Sequence, residues 1–416
     1  MVDVCPLDAS TDLPAVMGAL ARLLERHESL RTCLRDREDG PQQYVTRSGA
    51  LALFVHEITQ KADDEAVRHL VADLARPAFT PTELPLRAAV LRRDGVPTTL
   101  VLVVSHLAVD GWSMALVREE VRALLAGVEP PPLAQQPTDR ARYEASPEAR
   151  GREQAALAHW NSTVLNLPRV WLEGLPRSPA ADDLVCSKID SHAVATAAAH
   201  LAARYKVTPS MVVQAGIALA LGLDRGETDI GVRLIVATRY TAETARFVGP
   251  LNQNALLRIA LRDEGLADFF TRVRVAALQA LSASEYDPVT LEDLVGAVSA
   301  RRGFRGDGYC FINDVTGYLA PDTPAPHYGR TLTAPTSITD VPPPADPKGA
   351  NLFLYVHELE PRARLSVIAH RAFLAPGSTA EFLGDVEWLL TTAARTDAGP
   401  GKLARAHALR RSTPPG

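Results

Sequence analysis

Apolar residues in this chain recur at two different periods, and the alternation between them predicts a protein of the mixed α/β class. From Asp12 to Arg26 the apolar residues lie three or four positions apart, which is typical of an amphipathic helix, and Asp12 suits its N-cap. The stretch 98–104 is β-branched or apolar throughout, which predicts a strand that is buried on both faces. A second helical period follows over 111–125.

The same alternation continues along the rest of the chain. It predicts further helices at 64–74, 153–165, 192–205, 209–221, 266–281 and 378–395, and further strands at 51–55, 86–92, 229–237, 308–314, 351–357 and 364–370. Many connections are too short for uniform β-α-β crossovers, so we expect mixed sheets in two similar lobes. Because proline and glycine cluster around residue 170, we predict an N-terminal lobe at 1–170, a C-terminal lobe at 171–395 and a disordered tail at 396–416.

Composition narrows the class of protein further. A length of 416 residues suits two lobes of roughly 200 each, and a net charge of −5 argues against a nucleic-acid partner. The four cysteines lack any metal-ligand spacing. The N-terminus lacks the features of a secretory signal, and no apolar stretch reaches the roughly 18 residues that a membrane span needs. We therefore expect a monomeric, cytoplasmic protein that binds neither metal nor membrane.

A candidate reactive residue follows the buried strand, in the stretch VVSHLAVDGWS at 103–113. Ser105 and His106 would close that strand, so their side chains should leave on opposite faces. An imidazole accepts and releases protons near neutral pH, and a strand end would hold His106 rigidly, as a general base requires. Gly111 would let the backbone bend, and the positive end of the following helix would suit developing negative charge. Taken alone the pattern is weak, and a histidine satisfied within the core is the alternative.

Three other stretches accompany this one in a fixed order: RHESLRTCL at 26–34, ALAHW at 156–160 and FVGPLNQNALLR at 247–258. Together they resemble the condensation domains of nonribosomal peptide synthetases, in which RHExLRT, MHHxxxDGxS, a YW pair and VGxFVNTxxxR occur in this order. The resemblance covers roughly residues 3–395. It implies a chloramphenicol-acetyltransferase-like fold, in which two similar lobes with mixed sheets form a V with a tunnel between them.

The resemblance also implies roles for individual residues. His106 matches the reaction-centre histidine, and Asp110 matches an aspartate that is paired with an arginine and shapes the site together with Gly111. The arginine is not identified by the motifs, and the candidates are Arg31, Arg233, Arg239 and Arg258. The expected substrate-binding residues are Ser105, Trp112, Asn252 and Gln253.

The chain departs from the family pattern at two of these positions. The first histidine of the family's HH pair is Ser105 here, and the family's FVNT reads Leu251-Asn252-Gln253-Asn254, so that Gln253 falls on the family asparagine. If the family's first histidine is only a hydrogen-bonding residue, a serine hydroxyl can satisfy part of the same need.

The function that the resemblance implies is condensation in natural-product biosynthesis, which joins a thioester-borne acyl or aminoacyl donor to an amine or hydroxyl of a small-molecule or peptidyl acceptor. No carrier domain is recognisable in the chain, so we expect a free-standing enzyme that receives its donor from a carrier protein in trans, on a phosphopantetheine arm, or as a coenzyme A thioester. No resident cofactor is expected.

Two alternatives stay open. One is a catalytically inactive relative that recruits a partner enzyme to a carrier-bound peptide. The other is a plant-type HxxxD acyl-coenzyme A acyltransferase, which expects a DFGWG-like motif that this sequence lacks.

Overall fold

The computed structural model describes residues 1–38, 40–58, 64–175, 184–317, 335–343, 350–374 and 379–412. They divide into two compact units. The first comprises Met1–Ser146 and Ala237–Asn252, and the second comprises Pro147–Val236 and the chain from Gln253 onward. Both units combine helices with a sheet, so the predicted α/β class is confirmed.

The strands of both units are, in chain order, β1 (Val2–Pro6), β2 (Thr32–Arg35), β3 (Gln42–Val45), β4 (Leu53–Glu57), β5 (Leu86–Arg93), β6 (Val96–Val104), β7 (Leu184–Ser191), β8 (Asp229–Ala237), β9 (Asn252–Ala260), β10 (Tyr309–Asp314), β11 (Ser337–Asp340), β12 (Ala350–Glu358) and β13 (Ala363–His370). The helices are α1 (Leu13–Arg26), α2 (Asp64–Ala75), α3 (Gly111–Leu125), α4 (Pro137–Glu144), α5 (Pro147–Asn166), α6 (His192–Tyr205), α7 (Pro209–Arg225), α8 (Ala242–Ala245), α9 (Leu266–Ser282), α10 (Pro288–Arg301), α11 (Thr379–Thr396) and α12 (Pro400–Ser412). Short 3₁₀ helices lie at Glu28–Arg31 and Arg169–Trp171.

The first unit is built on a sheet with the strand order β1-β6-β5-β4, in which β4 runs parallel to β5 and the other pairs are antiparallel. Strand β6 is buried on both faces, as predicted. Leu102 and Val104 pack into the core that α1 and α3 cover, whereas Val101 and Val103 pack into a second core with residues of α2. Strands β2 and β3 form a separate antiparallel pair. The strand that leads to His106 therefore lies between α1 and α3 on one face and α2 on the other.

The second unit is built on a mixed sheet with the strand order β11-β7-β13-β12-β10-β8-β9. Strand β10 runs parallel to both β8 and β12, and β13 pairs antiparallel with β12 and β7. Strands of this sheet form a large hydrophobic core with helices that include α6, α7, α9 and α11. Among the described helices, none alone has the length and apolarity of a membrane span, and only α6 and α7 taken together, bent by 109°, would meet that criterion.

Two of the predicted boundaries differ from the structure. The division falls at Ser146, before α5, whereas we predicted it at residue 170, because the Trp160 indole on α5 donates to the carbonyl of Ala283 and packs edge-on against Tyr286. The predicted disordered tail is wrong over Pro400–Ser412. This segment is helix α12, with Leu403 fully buried.

Candidate active site

His106 lies in a turn that directly follows strand β6, and not at the end of the strand as predicted. Strand β6 ends at Val104, so Ser105 and His106 lie in the turn and not on the strand. The Ser105 carbonyl accepts from the amides of Ala108 and Val109, at 3.0 and 3.2 Å. Its hydroxyl accepts from the amide of Leu107 at 3.3 Å. Ser105 therefore closes the turn through both its backbone and its side chain.

His106 occupies the exposed tip of this turn. Within the described part of the chain its imidazole makes no hydrogen bond, and the neighbouring Leu107 is 73% exposed. Behind the tip, the turn is held by the buried hydroxyl of Ser29, which donates to the carbonyl of Ala108. The backbone that carries the histidine is thus fixed, while both imidazole nitrogens remain available to a substrate.

Asp110 is buried at the N-terminus of α3, at 2% exposure. One carboxylate oxygen accepts from the amide of Ser113 at 2.8 Å and the other from the amide of Leu251 at 2.9 Å. The guanidinium of Arg239 donates to both oxygens, at 2.8 and 2.9 Å, in the bidentate geometry of strong arginine–carboxylate pairs. Arg239 is therefore the partner among the candidate arginines.

The other three candidates bind elsewhere. Arg258 pairs with Asp229 at 2.9 Å, and Arg233 pairs with Glu292 at 2.9 Å. Arg31 donates to the carbonyls of Leu24 and Thr46, at 2.7 and 2.6 Å, and so fixes the segment that follows α1.

Ser113 links helix α3 to the segment at 237–252. Its fully buried hydroxyl donates to the Gly249 carbonyl at 2.8 Å, and it accepts from the Gly249 amide at 3.0 Å and from Arg239 at 2.7 Å. A side chain at position 249 would collide with the ring of Phe247, because an added Cβ would lie 2.3 Å from a ring carbon. The roles of Ser113 and Gly249 in this link were not predicted from the sequence.

The expected role of the α3 N-terminus as a site for developing negative charge is not supported. The Asp110 carboxylate caps this end of the helix, so a negative group already occupies the positive end of the dipole. Gly111 is the first residue of α3, and it is not among the residues with positive φ, so the backbone here does not require glycine for its conformation.

The expected substrate-binding residues lie in different places. Trp112 is half-buried, and its indole donates to the Ala245 carbonyl at 3.1 Å, which makes it a packing residue of the first unit. Asn252 is exposed at the end of the first unit. Gln253 belongs to the second unit, where its amide donates to the Tyr286 carbonyl at 3.1 Å. The structure therefore brings Ser105, His106, Asp110, Gly111 and Trp112 together, with Arg239, in one unit.

A buried carboxylate that sequence analysis missed supports this arrangement. Glu120 on α3 is 1% exposed and binds His27 at 2.6 Å, Arg26 at 2.9 Å and Arg246 at 3.2 Å. Burial alone would raise the pKa of Glu120, but the hydrogen bonds and charges of His27 and Arg26 outweigh it and lower the pKa to about 2. The signal in the sequence is a charged residue inside the buried stripe of an amphipathic helix.

The described residues contain no group of three or more histidine, cysteine or acidic side chains that could hold a metal ion. Burial raises the pKa of the thiol of Cys310, so this cysteine is not poised as a thiolate nucleophile. His106 is then the reactive group that the described site offers.

The sequence is similar to that of a known family. The family model named Condensation domain matches residues 4–303. The isonitrile lipopeptide synthase of Mycobacterium tuberculosis is 30% identical over 316 residues, which cover 70% of this chain and 12% of that protein. The chain spans only about a tenth of the length of such curated relatives, 8% to 12% in the first three.

Solved structures share the fold. The SgcC5 protein of Streptomyces globisporus, crystallised with (R)-(-)-1-(2-naphthyl)-1,2-ethanediol and sucrose, aligns with a TM-score of 0.69 and 22% identity over 96% of this chain and 93% of that chain. The X-domain from teicoplanin biosynthesis aligns with a TM-score of 0.73 and 18% identity, over 96% and 91%. The fold is therefore chloramphenicol-acetyltransferase-like, and the chain, with its SHxxxDG turn, belongs to the condensation-domain family of nonribosomal peptide biosynthesis.

Proposed function

We propose that this protein is a condensation enzyme that transfers an acyl or aminoacyl group from a thioester donor to an amine or hydroxyl acceptor. The observation that carries the proposal is the contrast between His106 and its surroundings. The backbone on both sides of the histidine is fixed by Ser29, Ser105 and the Asp110–Arg239 pair, whereas the imidazole itself is exposed and makes no hydrogen bond within the described residues.

The proposed reaction has two proton transfers. The amine or hydroxyl of the acceptor attacks the thioester carbonyl while His106 accepts its proton, which gives a tetrahedral intermediate. The intermediate then expels the thiolate as the C–S bond breaks, and the thiolate takes up the proton. Alignment of two bound substrates is worth roughly 7–11 kcal/mol in the best cases, and general-base help adds roughly 10²–10⁴-fold.

The donor is a second part of the proposal. We infer that the donor arrives on the phosphopantetheine arm of a carrier protein or as a coenzyme A thioester. The family assignment supports a carrier protein, since the relatives are synthetases of peptide natural products.

The rival function is recruitment without catalysis. It draws support from Ser105, where the family has a histidine, and from the likeness in fold to the X-domain of teicoplanin biosynthesis, one structure of which is a complex with OxyB. The hydrogen bonds of Ser105 count against it, because they close the turn and leave His106 presented to solvent.

The test is the discharge of acyl-loaded carrier proteins encoded near the gene, followed by intact-mass measurement with and without candidate acceptors. A condensation enzyme should remove the acyl mass from the carrier and release a conjugate only when an acceptor is present. Carrier binding without discharge, over every donor and acceptor tried, would support the recruiting function and contradict the proposal.

A further inference from the structure

Strand β4 forms one edge of the first unit's sheet, and its outer side is open. Strand β5 lies on one side of β4, and no described strand pairs with the other side. Phe54 and Val55 are 48% and 43% exposed, and their side chains point to opposite faces of the sheet. An exposed edge strand presents a row of unpaired N–H and C=O groups to any strand that approaches it. The β4 edge is therefore a candidate interaction surface.

The hydrogen bonds to β5 show which backbone groups of β4 point outward. The amide of Ile58, one residue beyond β4, donates to the carbonyl of Arg92 at 2.8 Å, and β4 pairs with β5 without a register shift. Alternate residues of a strand turn their backbone groups to the same side, so the backbone of the even-numbered residues of β4 faces β5. The backbone groups of Leu53, Val55 and Glu57 therefore face outward.

The edge lacks the features that usually prevent strand addition. Strand β4 contains neither proline nor lysine, and its pairing with β5 has no bulge. Its acidic side chain is held within the unit, since Glu57 accepts from Arg92 at 3.1 Å and from the amide of Gly95 at 2.9 Å. The middle of the edge, formed by Phe54, Val55 and His56, carries no carboxylate or ammonium group and is open to a partner strand.

The residues of β4 complement a second copy of the same strand. If two copies pair antiparallel about Val55, the hydrogen-bonded positions place Val55 opposite Val55 and Leu53 opposite Glu57, so that every outward residue of both copies is paired. Phe54 then lies opposite His56 of the second copy, in the closer non-hydrogen-bonded position, where two ring side chains pack favourably. No like charges face each other in this register.

Two other described edge strands do not offer this complementarity. At the outer edge of β9 the hydroxyl of Tyr286 accepts from the amide of Asn254 at 3.1 Å and donates to its carbonyl at 2.7 Å, so this edge is covered. The outward residues of β1 include Pro6, which has no N–H to donate. Pairing of β1 with its own copy about Asp3 would place two carboxylates opposite each other.

We propose that two copies of this chain associate by antiparallel pairing of β4 with β4 about Val55, so that their two four-stranded sheets form one continuous sheet. Such a contact uses the same residues on both copies, which is the isologous arrangement of two-fold homodimers. The inference departs from the monomer that we expected from the sequence. It goes beyond the proposed function and does not depend on it.

The test follows molar mass against concentration by sedimentation equilibrium of the full chain, without any substrate. We expect the mass of wild-type protein to rise from that of one chain toward that of two. Val55→Lys should raise the dissociation constant of the dimer by about tenfold, because it removes the contact between the valines and places like charges opposite each other. The matched control is Val4→Lys, which changes a valine of similar exposure, 38%, on the other edge of the same sheet and should dimerise like wild type.

A mixture of two variants tests the register. Val55→Lys and Val55→Glu should each stay monomeric at concentrations at which wild type dimerises, and their equimolar mixture should recover the dimer, since residue 55 faces residue 55. Val55→Pro, which removes an outward N–H and no hydrogen bond to β5, replaces either variant as the disrupting change if circular dichroism shows that it does not fold. A mixture that stays monomeric, or a Val4→Lys change that weakens the dimer as much as Val55→Lys, would overturn the inference. So would a wild type that remains monomeric at its highest soluble concentration, which would leave the edge to a strand of a different protein.

Discussion

Asp110 and His106 stand four residues apart and experience opposite surroundings. The carboxylate of Asp110 is buried and accepts hydrogen bonds from Ser113, Leu251 and both nitrogens of the Arg239 fork, whereas the imidazole of His106 is exposed. The difference in burial indicates different roles for the two residues. Asp110 holds the loop in place, and His106 is left to meet a substrate.

We expect Asp110→Asn to lower both stability and activity. The NH₂ group of an asparagine would face N–H donors that now bind the carboxylate, so two donors would meet. Arg239 would also remain buried without its counter-charge. Breaking a buried ion pair on one side costs about 3–5 kcal/mol. Thermal and denaturant unfolding measure the effect, with the exposed Asp8→Asn as the control. An unchanged midpoint would show that the pair contributes nothing to stability.

Ser105→His tests the departure from the family motif. The hydroxyl of Ser105 accepts one amide hydrogen bond, which an imidazole nitrogen can also accept, and the two backbone bonds of this residue do not depend on the side chain. We expect kcat/KM to change by less than about tenfold, or roughly 1.4 kcal/mol in barrier. A loss greater than a hundredfold would mean that serine is needed at this position for more than closing the turn.

Among the secondary-structure elements of the first unit, α3 is connected through Glu120 to the end of α1 and to the segment at 237–252. It lies on α3, binds Arg26 and His27 at the end of α1, and binds Arg246 in the segment at 237–252. The charged pair of Arg246 with the neighbouring Glu119 is exposed by contrast, and surface pairs of this kind contribute little.

The lowered pKa of Glu120 predicts how stability depends on pH. Since folding lowers this pKa from 4.5 to about 2, the contribution of Glu120 is complete above about pH 4.5 and is lost as the pH falls toward 2. The difference corresponds to roughly 3 kcal/mol. Glu120→Gln should therefore lower the free energy of unfolding at pH 7 and flatten its decline below pH 4.5, as measured by urea unfolding over this range. Glu119→Gln should follow the wild type, and parallel curves for all three proteins would contradict the assignment.

Most of the long helices were predictable from the sequence, although α10 and α12 were missed, and the shortest strands were not predictable. Helix α3 at Gly111–Leu125 and helix α6 at His192–Tyr205 match the predicted bounds, because many residues contribute to one period. Strands β2, β3 and β11 have four residues each, too few to establish a period. Strand β9 begins with the amides of NQN, which hide its apolar continuation.

The site was predictable to a similar degree. His106 and Asp110 follow from a motif that is local in sequence, whereas the arginine partner was one of four candidates, since spacing along the chain does not fix contacts in space. Arg239 was identified only by the structure. Glu120 was missed because glutamate on a helix ordinarily faces solvent.

At the scale of the whole molecule, the first unit is assembled from two separate parts of the chain. Residues 237–252 supply Arg239, Gly249 and the amide of Leu251 to a site whose other residues lie before residue 147. They also supply Val248 to the core that α1 and α3 cover.

This construction predicts that residues 1–146 are unstable on their own. The fragment would leave Asp110 buried without its counter-charge and would open the core at Val248. Fusing 237–252 to the fragment through a flexible linker should raise the melting temperature, as followed by circular dichroism, and Arg239→Ala in the fusion should cancel the gain. Identical melting of the fragment and the fusion would show that this segment contributes no stability.

General-base catalysis by His106 is tested by the single-turnover rate of acyl transfer by His106→Ala, with the exposed His56→Ala as a matched histidine control. Since His106 is exposed and makes no hydrogen bond in the described structure, its replacement should leave the melting temperature within a few degrees of wild type. We expect the rate of His106→Ala to fall by about 10²–10⁴-fold, the range of general-base catalysis, while His56→Ala stays at the wild-type rate. A His106→Ala enzyme that keeps more than a tenth of the wild-type rate would contradict the claim that this histidine moves the proton.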